Sequence, residues 1–322
     1  MNSGKNCEYL FDLHCDTIYE CEKQNVDLLN RELQFSLDKL PEQVRLCQCM
    51  AIFMPDDLRG EEAERCYDRH FARFRRQLEL YPDQVAQVTE TAAVSDLLRQ
   101  RQYALMLTVE GGSALAGKLD NLYKLQNCGV KMMTLTWNAA NEICGGAATD
   151  KGFTPFGLEV VALMEELGMV VDVSHLSDKG FYELCAFAKK PFVASHSNSR
   201  AVCGHRRNLT DDMFRQIAER GGLVGINYYR EFIVPGGVTH SIDDLLRHVH
   251  HFLELGGEDV LALGSDMDGV VDIHPCLRSL DQVPRLRESL CGSGISAAVA
   301  DKILFENAQR FFARLHSANE EN

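Results

Sequence analysis

The sequence predicts an α/β fold of the (β/α)8 TIM barrel class, and three observations carry that prediction. Eight short runs are apolar throughout, segments with helical patterns separate them, and metal-binding residue types follow five of the runs directly. Strands that are apolar on both faces are buried on both faces, as barrel strands are. With 322 residues and 45% hydrophobic content, the chain can form one barrel domain spanning residues 1–322.

The eight runs are distributed over the whole chain. They cover residues 9–13, 46–53, 103–109, 130–135, 170–173, 192–194, 223–226 and 260–263. Helices are predicted over residues 61–80, over 156–167 with Gly168 as a stop, and after Thr210, whose hydroxyl can cap a helix start. Residues 296–316 have the apolar face of a closing helix, whereas 27–41 fit neither pattern and 271–284 form a polar loop.

Composition excludes several classes of partner. A net charge of -14 and a pI near 5.2 oppose binding to nucleic acid or to anionic membranes, because both would be repelled. The twelve cysteines contain no C-x-x-C pair, which predicts reduced, mostly buried thiols. Residues 1–8 are polar, and no apolar run approaches the ~18 residues of a membrane span. We therefore expect a cytoplasmic protein.

The residues that follow the runs are suited to a binuclear metal site. Barrel strands all end at one face, where the active site lies. A spacing of two in an extended chain points His14 and Asp16 to the same side, and the two oxygens of Glu110 can bridge two ions. His175 and His196 add imidazole nitrogens, which zinc prefers. Each residue alone has an ordinary structural explanation, but their joint position favours a metal site.

Such a site is typical of hydrolases. Two metal ions about 3.5–4 Å apart share a water and lower its pKa towards neutrality. Asp266, which follows the last run, is predicted to take a proton from that water and return it to a leaving amine. Arg206 and Arg207 lie on the loop after His196, where a guanidinium can hold a substrate carboxylate, although a surface ion pair explains either arginine equally well.

Six short motifs, in order, resemble the zinc-dependent membrane (renal) dipeptidases and their bacterial relatives, among the metal-dependent, amidohydrolase-like barrels. The motifs are DLHCDT (12–17), EGG (110–112), DVSH (172–175), SHS (195–197), RRN (206–208) and GSDMDGV (264–270).

The resemblance implies a dipeptidase with two Zn²⁺ per chain that acts through a metal-bridging hydroxide. His14 and Asp16 would bind one ion, His175 and His196 the other, and Glu110 would bridge them. Asp266 would be the catalytic acid and base, and Arg207 would bind the carboxylate of the dipeptide. A bacterial-type cytoplasmic enzyme is expected, and relatives commonly form homodimers.

One position departs from the family pattern. Trp137 stands where the mammalian relatives have a histidine that contacts the substrate carbonyl. Its indole N–H can donate a hydrogen bond but does not titrate, and Asn138 or Asn141 are alternative donors. Tyr228, just beyond the seventh run, is a further candidate for substrate binding. The alternatives are another metal-dependent hydrolase (a lactonase, deaminase or phosphoesterase) and a non-catalytic peptide-binding relative.

Overall fold

A computed structural model describes residues 9–320, with side chains as far as Leu315. In that part of the chain, eight strands form one sheet, and all the strand pairs are parallel. The strands are β1 Tyr9–Cys15, β2 Arg45–Phe53, β3 Val85–Gln87, β4 Tyr103–Glu110, β5 Met132–Thr134, β6 Val170–Asp172, β7 Val224–Ile226 and β8 Leu261–Leu263.

The sheet closes into a ring through residues 192–194. The strand order is β6-β5-β4-β2-β1-β8-β7, and β3 lies outside this path, paired with β4. Single bridges join Asp172 to Val193 and Ala194 to Val224, so that the segment lies between β6 and β7. The predicted barrel is confirmed, with two differences. The run 192–194 contributes bridges rather than a full strand, and β3 is an additional strand outside the ring.

Helices lie between the strands and follow the last one. They are α1 Thr17–Gln24, α2 Gly60–Leu80, α3 Val94–Gln100, α4 Asp120–Asn127, α5 Pro155–Glu166, α6 Asp178–Phe187, α7 Asp211–Glu219, α8 Arg230–Ile233, α9 Asp243–Glu254, α10 Leu286–Gly292, α11 Ala297–Asp301 and α12 Asn307–Glu320. The predicted helices correspond to α2, α5 and α7, and the hydroxyl of Thr210 accepts a hydrogen bond from the Met213 N–H as predicted. The closing helix is interrupted by a π-helical stretch, Lys302–Glu306, between α11 and α12.

The closing helix and the strand ends that carry the motifs lie at opposite ends of β1. Phe312 of α12 stacks on Phe11, near the start of β1, with ring centroids 5.4 Å apart, while His14 lies at its far end. The cysteines in the described part of the chain are free, and most are buried, as predicted. Among residues 9–320, no helix combines the length and apolar character that a membrane crossing requires.

Candidate active site

The ends of five strands of the ring bring the predicted metal ligands together. His14 and Asp16 lie at the end of β1, and Glu110 is the last residue of β4. His175 follows β6, His196 follows the bridging segment 192–194, and Asp266 follows β8. None of the six residues is more than 7% exposed. The face predicted to carry the site therefore does carry these groups.

Glu110 lies between two groups of potential ligands and uses a different oxygen for each. Its Oε2 is 3.6 Å from Nε2 of His14, which in turn is 3.2 Å from Oδ2 of Asp16. Its Oε1 is 2.9 Å from Nε2 of His175 and 3.4 Å from Nε2 of His196. Oδ1 of Asp266 lies 3.9 Å from Nε2 of His14, on the first side. This is the arrangement expected of a carboxylate that bridges two ions.

The electrostatics of the two groups differ. Burial lowers the pKa of His175 to about 4 and holds the pKa of His196 well below its usual range, so both imidazoles are neutral. Burial opposes a charge on His14 as well, but the Asp16 and Glu110 carboxylates raise its pKa well above the usual range. Burial and the nearby Glu110 carboxylate raise the pKa of Asp16 to about 8. The carboxylates around His14 therefore favour a positive charge on that side of the site.

Residues behind the ligands fix their orientation. The Ser195 hydroxyl lies 2.8 Å from Nδ1 of His196 and donates a hydrogen bond to Asp172, whose carboxylate also accepts from the Ser174 and Ser195 N–H groups. A partner of the imidazole ring such as Ser195 sets ring orientation and ligand basicity at metal sites. On the other side, Asp12 fixes the backbone instead, because its carboxylate accepts hydrogen bonds from the N–H groups of His14 and Ser265.

Two of the site residues have a strained backbone conformation that orients their side chains. His175 has φ 68° and Asp266 has φ 62°, in the left-handed region that is costly for residues other than glycine. A nearby glycine is required for a different reason. A Cβ on Gly269 would lie 2.2 Å from Oδ2 of Asp16 and 2.6 Å from Oδ1 of Asp266. The local geometry is therefore built around these two carboxylates.

The chemistry of the donor set fits zinc. Ligand atoms of His14, Glu110 and His196, and those of His14, Asp16 and Asp266, converge within 4.8 Å of one another. Oδ1 of Asp16 is buried without a hydrogen-bond partner in the described part of the chain, and a cation would satisfy it. Imidazole with carboxylate is the ligand combination of many catalytic zinc sites.

A cavity of about 780 Å³ opens from these ligands, and Arg207 lies in its wall. The side chain is buried, and one of its Nη atoms donates to the carbonyl of His196 at 3.3 Å. Its Nε has no partner, and none of the ion pairs among the described residues involves it. Arg206, in contrast, points outward to Asp150 at 3.6 Å. Of the two arginines, Arg207 therefore faces the cavity, whereas Arg206 forms an ion pair on the surface.

The residues near strand β5 have separate positions. Trp137 and Asn138 line the cavity, and Oδ1 of Asn138 lies 3.1 Å from Nδ1 of His175. Asn141 is engaged elsewhere, because its amide donates to the Leu135 carbonyl and its oxygen accepts from Ile143 N–H. Tyr228, predicted to bind substrate, is instead fully buried in the core, and its neighbour Tyr229 lines the cavity.

Two parts of the cavity wall were not predicted. The loop over residues 27–41 contributes Glu32, Leu33 and Gln34, and it is held by Asp268, whose carboxylate accepts from the Gln34 and Phe35 N–H groups. Aromatic side chains from other elements complete the wall: Tyr19, Phe53, Tyr229 and Phe232. No sequence pattern pointed to the loop contact or to these aromatic residues.

Comparisons with known proteins identify a family for this chain. The sequence model of the membrane dipeptidase family, peptidase family M19, matches residues 6–322. An uncharacterized protein in the pqqA 5' region of Klebsiella pneumoniae is 33% identical over 229 residues, which cover 67% of this chain and 84% of that protein. An uncharacterized dipeptidase of Schizosaccharomyces pombe is 33% identical over 202 residues, or 60% of this chain but only 48% of the yeast protein.

Solved structures share the fold over almost the whole chain. A metallopeptidase from Rhodobacter sphaeroides, liganded with a phosphinate mimic of the dipeptide L-Ala-D-Ala, has a TM-score of 0.89 at 23% identity and covers 96% of this chain and 99% of that one. The dipeptidase AC, of family M19, has a TM-score of 0.88 at 24% identity and covers 96% of this chain and 98% of that one. At these identities the likeness concerns the fold alone.

Proposed function

This chain belongs to the membrane dipeptidase family, peptidase family M19, a family of metallo-dipeptidases, and from that premise we propose that it is a binuclear zinc dipeptidase. The family expected from the motifs is confirmed. The number of zinc ions, the residue roles and the dipeptide substrate are the proposal. The dipeptide mimic bound by the R. sphaeroides structure supports the choice of substrate.

One observation carries the proposal, namely the position of Glu110 between two sets of ligands. His14 and Asp16 would hold one ion, His175 and His196 the other, and each oxygen of Glu110 faces one set. A carboxylate with one oxygen towards each set can serve both at once. It suits two ions that share their ligand.

Zinc held by this set would supply an acidified water as nucleophile and would polarise the substrate carbonyl. The protein supplies the remaining functions. Arg207 would bind the carboxylate of the dipeptide, since its guanidinium is buried, lacks a carboxylate partner within the described residues and keeps its charge at neutral pH even though burial lowers its pKa to about 10. That contact would fix the peptide bond over the ligand cluster.

Asp266 would move the proton. Peptide hydrolysis adds one water across the C–N bond, with the oxygen going to the carbonyl carbon and a proton to the departing amine. Burial raises the pKa of Asp266, which suits a group that accepts a proton and then releases it. Asn227 donates a hydrogen bond to its Oδ2 at 2.9 Å and leaves Oδ1 facing the ligands. Its nearness to His14 also makes Asp266 a possible ligand, but we assign it the acid and base role.

The test is the substitution Glu110→Gln, which keeps the size of the side chain and removes its charge. We expect it to lower zinc content below two ions per chain and to reduce dipeptide hydrolysis by about 100-fold or more. Metal analysis and an assay with Ala-Ala measure both effects.

The matched control is Glu165→Gln. Glu165 accepts hydrogen bonds from the Lys189 and Lys190 N–H groups, far from the ligands in the fold, and a glutamine oxygen can still accept them. It should leave zinc content and rate unchanged. Wild-type protein that binds no zinc, or that cleaves no dipeptide, would overturn the proposal. The expected homodimer and cytoplasmic location stay predictions.

A further inference from the structure

We propose that Tyr19, Phe53 and Trp137 form an aromatic wall that binds an apolar side chain on the amino-terminal residue of the dipeptide. The inference rests on the proposed function and deepens it, because it assigns a substrate preference to one side of the cavity. These three residues are called the aromatic wall below.

The aromatic wall is a continuous set of ring contacts. Tyr19 meets Phe53 edge to face with centroids 5.1 Å apart, and Phe53 meets Trp137 in the same way at 5.0 Å. Trp137 then lies 6.2 Å from the ring of His175, so that the wall reaches the ligand cluster. Edge-to-face contacts at these distances are favourable and fix the rings relative to one another.

The wall is rigid and exposes apolar surface inside the cavity. Phe53 is the last residue of β2, and Tyr19 stacks on His70 of α2 with centroids 5.2 Å apart. All three side chains line the cavity and are only partly buried by the protein. Half-buried rings in a concave site are surfaces that an apolar ligand group can cover.

The position of Arg207 decides which end of the dipeptide meets this wall. In the ring of eight, β2 and the segment 192–194 are four positions apart in either direction and therefore lie opposite each other. Arg207 follows segment 192–194, and its guanidinium packs on the ring of Phe232, 5.3 Å from the centroid. Phe232 belongs to α8, which follows β7. The arginine side of the cavity thus faces the aromatic wall across the ligand cluster.

A dipeptide held by its carboxylate at Arg207 has its peptide bond over the ligands and its amino-terminal residue on the far side. That far side is the aromatic wall. The side chain of the amino-terminal residue is then the group that covers Phe53 and Trp137. A phenylalanine or leucine at this position would bury more ring surface than an alanine.

The experiment compares Phe-Ala, Ala-Phe and Ala-Ala as substrates of the zinc-loaded protein. The wild type should cleave Phe-Ala with a kcat/KM about 10-fold above that for Ala-Phe. Phe53→Ala should remove most of this preference, and Phe53→Leu, which keeps apolar bulk, should retain part of it. Trp137→Phe should lie between the wild type and Phe53→Ala.

Controls separate this inference from the proposed function. Tyr123→Ala changes an exposed tyrosine of α4 and should leave the Phe-Ala to Ala-Phe ratio unaltered. Cleavage of Ala-Ala without any preference for Phe-Ala, or a preference that survives Phe53→Ala in a variant with normal zinc content, would overturn the aromatic wall alone. Absence of cleavage of every dipeptide would overturn the proposed function, and the inference with it.

Discussion

Asn138 was predicted to contact substrate, and the structure gives its side chain a second contact at the proposed metal site. Its Oδ1 lies 3.1 Å from Nδ1 of His175, a position that can accept an Nδ1–H and leave Nε2 to face Glu110. We expect Asn138→Ala to weaken zinc binding by about 10- to 100-fold, because the ring of His175 loses its orienting partner. Asn138→Asp keeps an acceptor oxygen and should restore most of the affinity.

A competition titration against a chelator measures that affinity directly. A pure substrate role for Asn138 would change KM in both variants and leave zinc affinity as it is in the wild type. That pattern would remove the positioning role. A loss of affinity in Asn138→Ala that Asn138→Asp does not reverse would also count against it.

Side chains with metal-binding chemistry could be predicted individually, whereas the residues that support them from behind could not. His14, Asp16, Glu110, His175 and His196 all follow apolar runs, and the structure brings all five together. Asp12 and Asp172 lie in strands as well, but each also accepts from a distant residue, Ser265 and Ser195 respectively, that only the folded chain brings near. Tyr228 and Tyr229 are neighbours in sequence, and only the folded backbone decides which one faces the cavity.

The role of the loop over residues 27–41 could not be predicted from the sequence. The loop has no periodic pattern of apolar residues. Its position depends on Asp268, which lies 234 residues after Gln34 and 233 residues after Phe35. Asp268 has φ 63° and also accepts a hydrogen bond from the Thr17 hydroxyl at 2.6 Å. A contact so distant in sequence leaves no local pattern, whereas the cap of α7 at Thr210 could be predicted because it is local.

Asp268→Asn tests whether this anchor shapes the cavity. Asparagine tolerates the left-handed conformation, so the backbone is conserved while one of the two acceptor oxygens becomes a donor. The loop should loosen, and KM for a dipeptide should rise by about 3- to 10-fold, with zinc content unchanged. Hydrogen exchange of residues 33–37 should become faster. Unchanged exchange together with an unchanged KM would show that the loop is held by other contacts.

The barrel as a whole could be predicted, because its apolar runs recur along the chain and are buried on both faces. Apolar runs at intervals predicted the ring, since parallel strands covered on both faces need helices between them. The segment 192–194 shows where this reasoning loses detail, because a three-residue run predicts a place in the ring but not the number of bonds it makes there. β3 was missed since Val85–Gln87 is short and only Val85 is buried.

Acid sensitivity of the folded state is a property of the whole molecule, and His248 of α9 is expected to contribute to it. The side chain is fully buried, with Nδ1 accepting from the Ser199 N–H at 3.1 Å and Nε2 donating to the Ile233 carbonyl at 2.8 Å. It thereby ties α9 to α8 and to the loop between His196 and Arg207. Burial lowers the pKa of His248 to about 4, from a usual value near 6.5.

Because the folded pKa is the lower one, the unfolded chain takes up a proton between pH 6.5 and 4 that the folded chain does not. Stability is therefore lost as the pH falls through this window, by about 2 kcal/mol between pH 7 and pH 5 from this residue. His248→Gln can make both hydrogen bonds but cannot take up the proton. Its free energy of unfolding, measured in urea at equal zinc concentration, should be lower than that of the wild type at pH 7 and should fall less steeply towards pH 5. Equal losses in the two proteins would show that His248 does not contribute, because every other titrating group is common to both.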